Sequence, residues 1–129
     1  MHLIAINNLT HPLEKPILVK YCVSFFCRLR GLTFRHSLPP DQGLLLVQSQ
    51  DSRLNAAIHM LGVWFDLAVI WINSNEIVVD LQLARRWRPA YIPRQPARYI
   101  LELSADRLND FHPGDHVKIA IPAQPSSLT

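Results

Sequence analysis

The stretch DLAVIWINSNEIVVDL, residues 66–81, contains two apolar runs that are separated by four polar residues. Both runs, 66–72 and 77–81, are rich in β-branched and aromatic residues, which are typical of strands. The NSNE tetrapeptide between them consists of residues that favour turns. The stretch therefore predicts a β-hairpin, and with it a mainly β fold for the chain.

Segments on both sides of the hairpin continue the β pattern. Residues 44–47 are aliphatic throughout, which predicts a strand that is buried on both faces. Ten prolines against four glycines indicate short elements that are separated by stiff turns. Other strands are predicted at 17–19, 57–61, 97–103 and 116–121.

Two short helices are also expected. The first carries the stripe Cys22, Phe25, Phe26 and Leu29, spaced i, i+3, i+4, i+7, and should end at a left-handed Gly31.

The second helix, residues 105–111, could be capped by Ser104 and ended by the dipeptide 113–114. Between the first helix and the aliphatic strand, residues 38–43 (LPPDQG) predict a turn.

These elements together predict a mainly β domain, either a small antiparallel sandwich or a partly closed barrel, with two short helices. A chain of 129 residues, 49% of them hydrophobic, fits a single core. We expect one globular domain over residues 1–122, followed by a disordered tail at 123–129.

The expected location is the cytoplasm, without a membrane partner. The first eight residues lack the basic leader and long apolar core of a signal peptide, and no apolar run approaches the ~20 residues of a membrane span. Cys22 and Cys27 would lie on different sides of the first helix, too badly oriented for a disulfide, so we expect both to be reduced.

Several spaced blocks between Tyr21 and Ile119 resemble one known family. They are R-x-x-G-L-x-x-R from Arg28, L-P-x-x-x-G-L-L from Leu38, H-M at His59, D-L-A-V-I-W-I from Asp66, P-A-R-Y-I-L-E from Pro96 and G-D at Gly114.

In their order and spacing these blocks look like the family called domain of unknown function 192. The resemblance implies a compact, jelly-roll-like β domain with no established activity. The chain departs from the family at Thr33, where methionine is usual, and we expect it to lack the secretory or lipoprotein signal with which many members begin.

His59 and Asp66 are weak catalytic candidates. If adjacent strands bring them together, they could form the acid–base pair of a small hydrolase-like enzyme. Alternatively, His59 is a buried histidine bonded to a backbone carbonyl, and Asp66 pairs with an arginine, nominally Arg35 or Arg30. The sequence shows no positioned nucleophile, which favours the second interpretation.

The segment RRWRPAYIPRQPAR, residues 85–98, contains five arginines, two aromatic residues and no acid. It could be a binding loop, in which Trp87 and Tyr91 stack on rings while Arg88 and Arg94, with Arg35, hold anionic groups. It could also be a proline-stiffened crossover loop whose aromatic residues cover the core. A buried Trp87 is the favoured prediction, and it would exclude the binding interpretation.

The sequence does not establish a function, and its best interpretation is a non-catalytic binding or accessory module. Its partner would be an anionic or sugar-like small ligand, or another protein. The alternatives are the hydrolase-like enzyme and a weak single-stranded nucleic-acid binder through residues 85–98, which the modest net charge of +3 disfavours. No cofactor is predicted, and no metal site, because residues 113–114 separate His112 from His116 and no third ligand has a recognisable spacing.

Overall fold

The computed structural model describes residues 3–22, 38–58, 60, 63, 65–88 and 90–120. This part of the chain is mainly β, with one short 3₁₀ helix at Ala105–Asp110. The strands are β1 (Leu3–Asn8), β2 (Ile17–Cys22), β3 (Gln42–Ser52), β4 (Leu67–Ile72), β5 (Val78–Ala84), β6 (Ala97–Ser104) and β7 (Val117–Ala120).

All seven strands belong to one sheet, in the order β5-β4-β6-β3-β2-β1-β7. Neighbouring strands are antiparallel except β2 and β3, which are parallel, so the prediction of a purely antiparallel sheet is wrong at this pair. Parallel neighbours cannot be joined by a tight turn and need a longer crossover. Residues 23–41 lie between these two strands in the sequence.

The sheet is curled into a half-barrel. Strand β6 pairs with β3 on one side and with β4 on the other, and it therefore joins the two halves of the chain into one sheet. Ile77 directly precedes β5 and His116 directly precedes β7, and these two residues form an isolated antiparallel bridge. The two edge strands of the sheet therefore begin next to each other. The alternative of a sandwich of two sheets is therefore wrong, whereas a partly closed barrel agrees with the structure.

Both faces of the sheet are covered by apolar side chains. Side chains alternate between faces along a strand, so Leu101 and Leu103 of β6 belong to one apolar cluster and Ile100 to the other. The second cluster includes residues from the segment after β3, and the indole Nε1 of Trp71 donates a 2.7 Å hydrogen bond to the carbonyl of Ala56. Strand β3 is buried on both faces between Gly43 and Gln48, as predicted.

The predicted hairpin is confirmed as β4 and β5, while two other local predictions need correction. In the segment 57–61, Ile58 forms only an isolated bridge with Tyr91 instead of a strand. The second helix is present as a 3₁₀ helix, but the side chain of Ser104 makes no capping hydrogen bond. The first helix beyond Cys22, its cap at Gly31 and the tail at 123–129 lie outside the described residues.

Cys22 differs from its predicted state. It is the last residue of strand β2, so the helical spacing that separated the two cysteines does not apply to it. Cys22 is disulfide-bonded, and the prediction of a reduced thiol is wrong for this residue. Cys27 lies outside the described residues.

The turn before β3 is shorter than the predicted 38–43, because its last two residues already belong to the strand. The amide of Gln42 donates to the carbonyl of Pro39, which closes the turn. Gly43 lies in the strand, where a Cβ atom would stand 2.5 Å from Leu103 Cδ2 and 2.7 Å from the backbone oxygen of Glu102. Gly43 therefore permits the close approach of β3 and β6, and it is not a residue of the turn. No helix in the described ranges is long and apolar enough to cross a membrane.

Candidate functional site

Residues 85–98, here called the arginine-rich loop, connect β5 to β6 and include the first two residues of β6. Backbone hydrogen bonds hold the first half of this loop in place. Ile58 and Tyr91 exchange two such bonds of 2.9 Å. The amide of Trp87 donates to the carbonyl of Met60, and the amide of Met60 donates to the carbonyl of Arg88, each at 2.9 Å. The loop therefore lies against the segment around Met60 in a defined conformation.

Trp87 is at the surface of this loop. The residue is 48% exposed, so the favoured prediction of a buried, core-forming Trp87 is wrong. Its φ of 64° lies in the left-handed region, which bulky residues rarely adopt because of the contact between Cβ and the backbone. Strained residues of this kind cluster at ligand-binding and catalytic sites.

Asp66 anchors the beginning of the loop. Its Oδ1 accepts a 2.9 Å hydrogen bond from the amide of Arg86, and its Oδ2 lies 3.6 Å from Nη1 of Arg85. The prediction that Asp66 pairs with an arginine is thus confirmed, with Arg85 as the partner. Arg30 and Arg35, the partners nominated from the sequence, lie outside the described residues.

The remaining predicted ligand-binding residues differ in their surroundings. Tyr91 is half-buried, and its hydroxyl accepts a 2.7 Å hydrogen bond from the amide of Arg85. Arg88 and Arg94 are exposed, and no carboxylate of the described ranges forms an ion pair with either guanidinium. The amide of Arg94 is fixed by Oδ2 of the buried Asp80 at 2.9 Å. Tyr91 is therefore a support for the loop, while Arg88 and Arg94 are exposed to solvent and Trp87 is half exposed.

The proposed pairing of His59 with Asp66 stays a prediction, because His59 lies outside the described residues. The carboxylate of Asp66 is 25% exposed and is already occupied by the loop contacts. These contacts support a structural role for Asp66 in shaping the loop.

A second polar cluster, which the sequence did not reveal, consists of His11, His112 and Asp115. Nδ1 of His11 lies 2.9 Å from Oδ1 of Asp115, and the two imidazole rings are 4.6 Å apart. Both histidines line a cavity of about 600 Å³ between the loop after β1 and the 3₁₀ helix. From the sequence, only His112 with His116 was considered, because His11 is 104 residues from Asp115 and only the fold brings them together.

Asp115 is buried and strongly hydrogen-bonded. Burial by itself raises the pKa of its carboxyl group, but hydrogen bonds from Asn8, the amide of His112 and His11 outweigh it and lower the pKa below the usual value. Asn8, which is 1% exposed, donates from Nδ2 to Oδ2 of Asp115 at 2.7 Å. The carboxylate is therefore held in the ionised form and in one orientation.

Glu102 of β6 is a buried carboxyl group that the catalytic hypothesis did not consider. Its neighbours across the sheet are Leu44 of β3 and Val69 of β4, and burial raises its pKa to about 7. A buried acid with a pKa near neutrality is a recurrent feature of functional sites, although buried structural groups show it as well. The sequence signal was the single acid within the apolar strand 97–103.

Comparisons with other proteins give the same fold. A crystal structure from Sinorhizobium meliloti 1021, described as a proposed transcription regulator, superposes with a TM-score of 0.76 at 19% identity, over 91% of this chain and 92% of that chain. A protein of unknown function from Novosphingobium aromaticivorans superposes with a TM-score of 0.73 at 18% identity, over 90% and 83% of the two chains. At these identities the likeness establishes the fold alone.

Proteins that match this chain by sequence share a higher identity with it than these two structures do. A UPF0127 protein of Pyrococcus furiosus is 39% identical over 95 residues, which cover 74% of this chain and 78% of the relative. A UPF0127 protein of Thermococcus gammatolerans is 40% identical over 84 residues, 65% of this chain, and the match spans only 53% of that relative. The model of domain of unknown function 192, described as an uncharacterized ACR, matches residues 7–119. The chain therefore belongs to the family of domain of unknown function 192.

Proposed function

We propose that the protein is a binding module whose arginine-rich loop, residues 85–98, holds a ligand that combines anionic groups with a sugar ring. The observation that carries this proposal is the half-exposed Trp87, held at a left-handed φ between exposed arginines. A half-exposed indole offers apolar ring surface against which a sugar ring can stack. The backbone contacts to Met60 pre-organise that surface, which lowers the entropy cost of binding.

The charges on the loop fit an anionic ligand. Arg88 and Arg94 have no ion-pair partner within the described ranges, so their guanidinium groups do not have to be released before they bind a ligand. A guanidinium group binds carboxylate, sulfate-like or phosphate oxygens through a planar, two-pronged contact. The net charge of +3 favours a small anionic ligand over a long nucleic acid.

The hydrolase-like alternative depends on His59 and stays a prediction. The cytoplasmic location also stays a prediction.

Isothermal titration with a heparin-derived sulfated oligosaccharide tests the proposal, with the neutral sugar and a single-stranded oligonucleotide as comparison ligands. We expect the sulfated sugar to bind, and its affinity to fall by roughly tenfold or more in Trp87→Ala and in Arg88→Ala, because central aromatic and arginine contacts dominate binding energies. Lys118→Ala on β7 is the matched control, since it removes an exposed positive charge away from the loop.

Equal affinity in the wild type and Trp87→Ala would contradict the proposal, as would an equal loss in Lys118→Ala. Tighter binding of the oligonucleotide than of the sulfated sugar would favour the nucleic-acid alternative instead. Trp87→Ala should cost less stability than the ~3–5 kcal/mol of a core tryptophan, because the side chain is half exposed. A folded variant should therefore be available for the measurement.

A further inference from the structure

We infer that His11, His112 and Asp115 form a binding site for a divalent transition-metal ion of the zinc class. The site is separate from the arginine-rich loop and does not depend on the proposed function. Two imidazoles and one carboxylate form a donor set that zinc and its first-row neighbours accept, with at least one coordination position left open.

The potential ligand atoms are close enough to converge on one ion. One ligand atom from each residue lies within 4.8 Å of the other two. Ligand atoms around a tetrahedral zinc ion stand roughly 3.3 Å apart, as follows from bond lengths of about 2.0–2.1 Å. The histidine side chains are 54% and 55% exposed, so small rotations of the rings can close the remaining gap without disturbing the core.

The carboxylate of Asp115 is oriented as a metal ligand requires. Its Oδ2 accepts hydrogen bonds from Nδ2 of Asn8 at 2.7 Å and from the amide of His112 at 2.9 Å. Its Oδ1 faces His11, where a metal ion would replace the present hydrogen bond. Outer hydrogen bonds that fix one carboxylate oxygen and leave the other for the metal are typical of metal sites.

Asn8 also positions the segment that carries His11. Its Oδ1 accepts from the amides of Thr10 and His11, both at 3.0 Å. One buried side chain thus fixes the backbone of one ligand and the carboxylate of another. The site is therefore built by the fold, although its members are far apart in the sequence.

Ligands could reach an ion at this position from the solvent side. The cavity lined by His11 and His112 has a volume of about 600 Å³, and its walls include Lys15 and Arg107. The open coordination position would face this space, where water or a small anion could bind.

Titration of the untagged, chelator-treated protein with Zn²⁺ and with Co²⁺ tests the inference. We expect binding of one ion per chain, visible d–d bands for Co²⁺ and a rise in melting temperature with Zn²⁺. His11→Ala and His112→Ala should each weaken the affinity by roughly tenfold to a hundredfold or more. Their matched control, His116→Ala, removes an exposed histidine outside the cluster and should bind as the wild type does.

The histidine variants are preferred to Asp115→Asn, because Asp115 also holds the turn at residues 112–115. Failure of the wild type to bind one ion per chain would overturn the inference. So would unchanged affinity in both His11→Ala and His112→Ala, or an equal loss in His116→Ala. Failure of the sulfated sugar to bind would leave this result untouched, because the two sites share no residue.

Discussion

Replacement of Glu102 by glutamine should stabilise the protein at neutral and basic pH. Glu102 lies within β6, with Leu44 and Val69 opposite it on the neighbouring strands. Burial raises its pKa from 4.5 to about 7, because the ionised carboxylate is poorly solvated there. A difference of this size corresponds to about 3 kcal/mol between the two protonation states.

The sign of the pH dependence follows from the proton count. Between pH 4.5 and about 7 the folded state keeps the proton of Glu102 while the unfolded state has lost it. The contribution of this group to stability therefore decreases as the pH rises through that window, and the full penalty is present above it. Below pH 4.5 both states are protonated and the penalty vanishes.

Chemical denaturation of the wild type and Glu102→Gln across this pH range measures the effect. The variant should be more stable by about 2–3 kcal/mol near pH 8, and the difference should disappear toward pH 4.5. Glu14→Gln, the same change at an exposed position, should leave the free energy of unfolding nearly unchanged. A difference that does not vary with pH, or a loss of stability near pH 8, would show that Glu102 is not a buried acid with a raised pKa.

Three further substitutions test the fold and the loop. Gly43→Ala should destabilise by about 1–3 kcal/mol in denaturant titrations, because its Cβ would meet backbone and side-chain atoms of β6; wild-type stability would contradict the observed close approach. Trp87→Gly and its control Glu76→Gly each remove left-handed strain of about 1 kcal/mol, but Trp87→Gly also loses the contacts of a half-buried side chain, so only Glu76→Gly should raise the melting temperature and only Trp87→Gly should weaken sugar binding. Asp66→Ala should cost about 1 kcal/mol and weaken sugar binding in calorimetry, since the amide of Arg86 loses its acceptor; unaltered affinity would mean that the loop keeps its shape without Asp66.

Local patterns were sufficient to predict the elements that depend on neighbouring residues. The hairpin of β4 and β5 follows from two apolar runs and a polar turn, and it appears at nearly the predicted bounds. Strand β1 was missed, although Ile4 and Ile6 alternate with less buried residues. Its alternation is short and ends in two asparagines, one of which proves to be buried.

Features that depend on distant pairing could not be predicted in the same way. The parallel pairing of β2 with β3, and the role of β6 in joining both halves of the sheet, leave no local periodicity. The same holds for His11 and Asp115, which only the fold brings together. Trp87 also has a left-handed backbone conformation, which the sequence does not indicate because such a conformation is expected at glycine rather than at tryptophan.

Stacking of a ligand on Trp87 can be observed through the indole N–H signals in a ¹H–¹⁵N spectrum. Trp71 is fully buried and its indole is bonded to the carbonyl of Ala56, so its signal is an internal reference. Comparison with Trp87→Phe assigns the signal of Trp87. We expect the sulfated oligosaccharide to shift the Trp87 signal saturably and to leave that of Trp71 in place. A Trp87 signal that stays unmoved at saturating ligand would contradict stacking on Trp87.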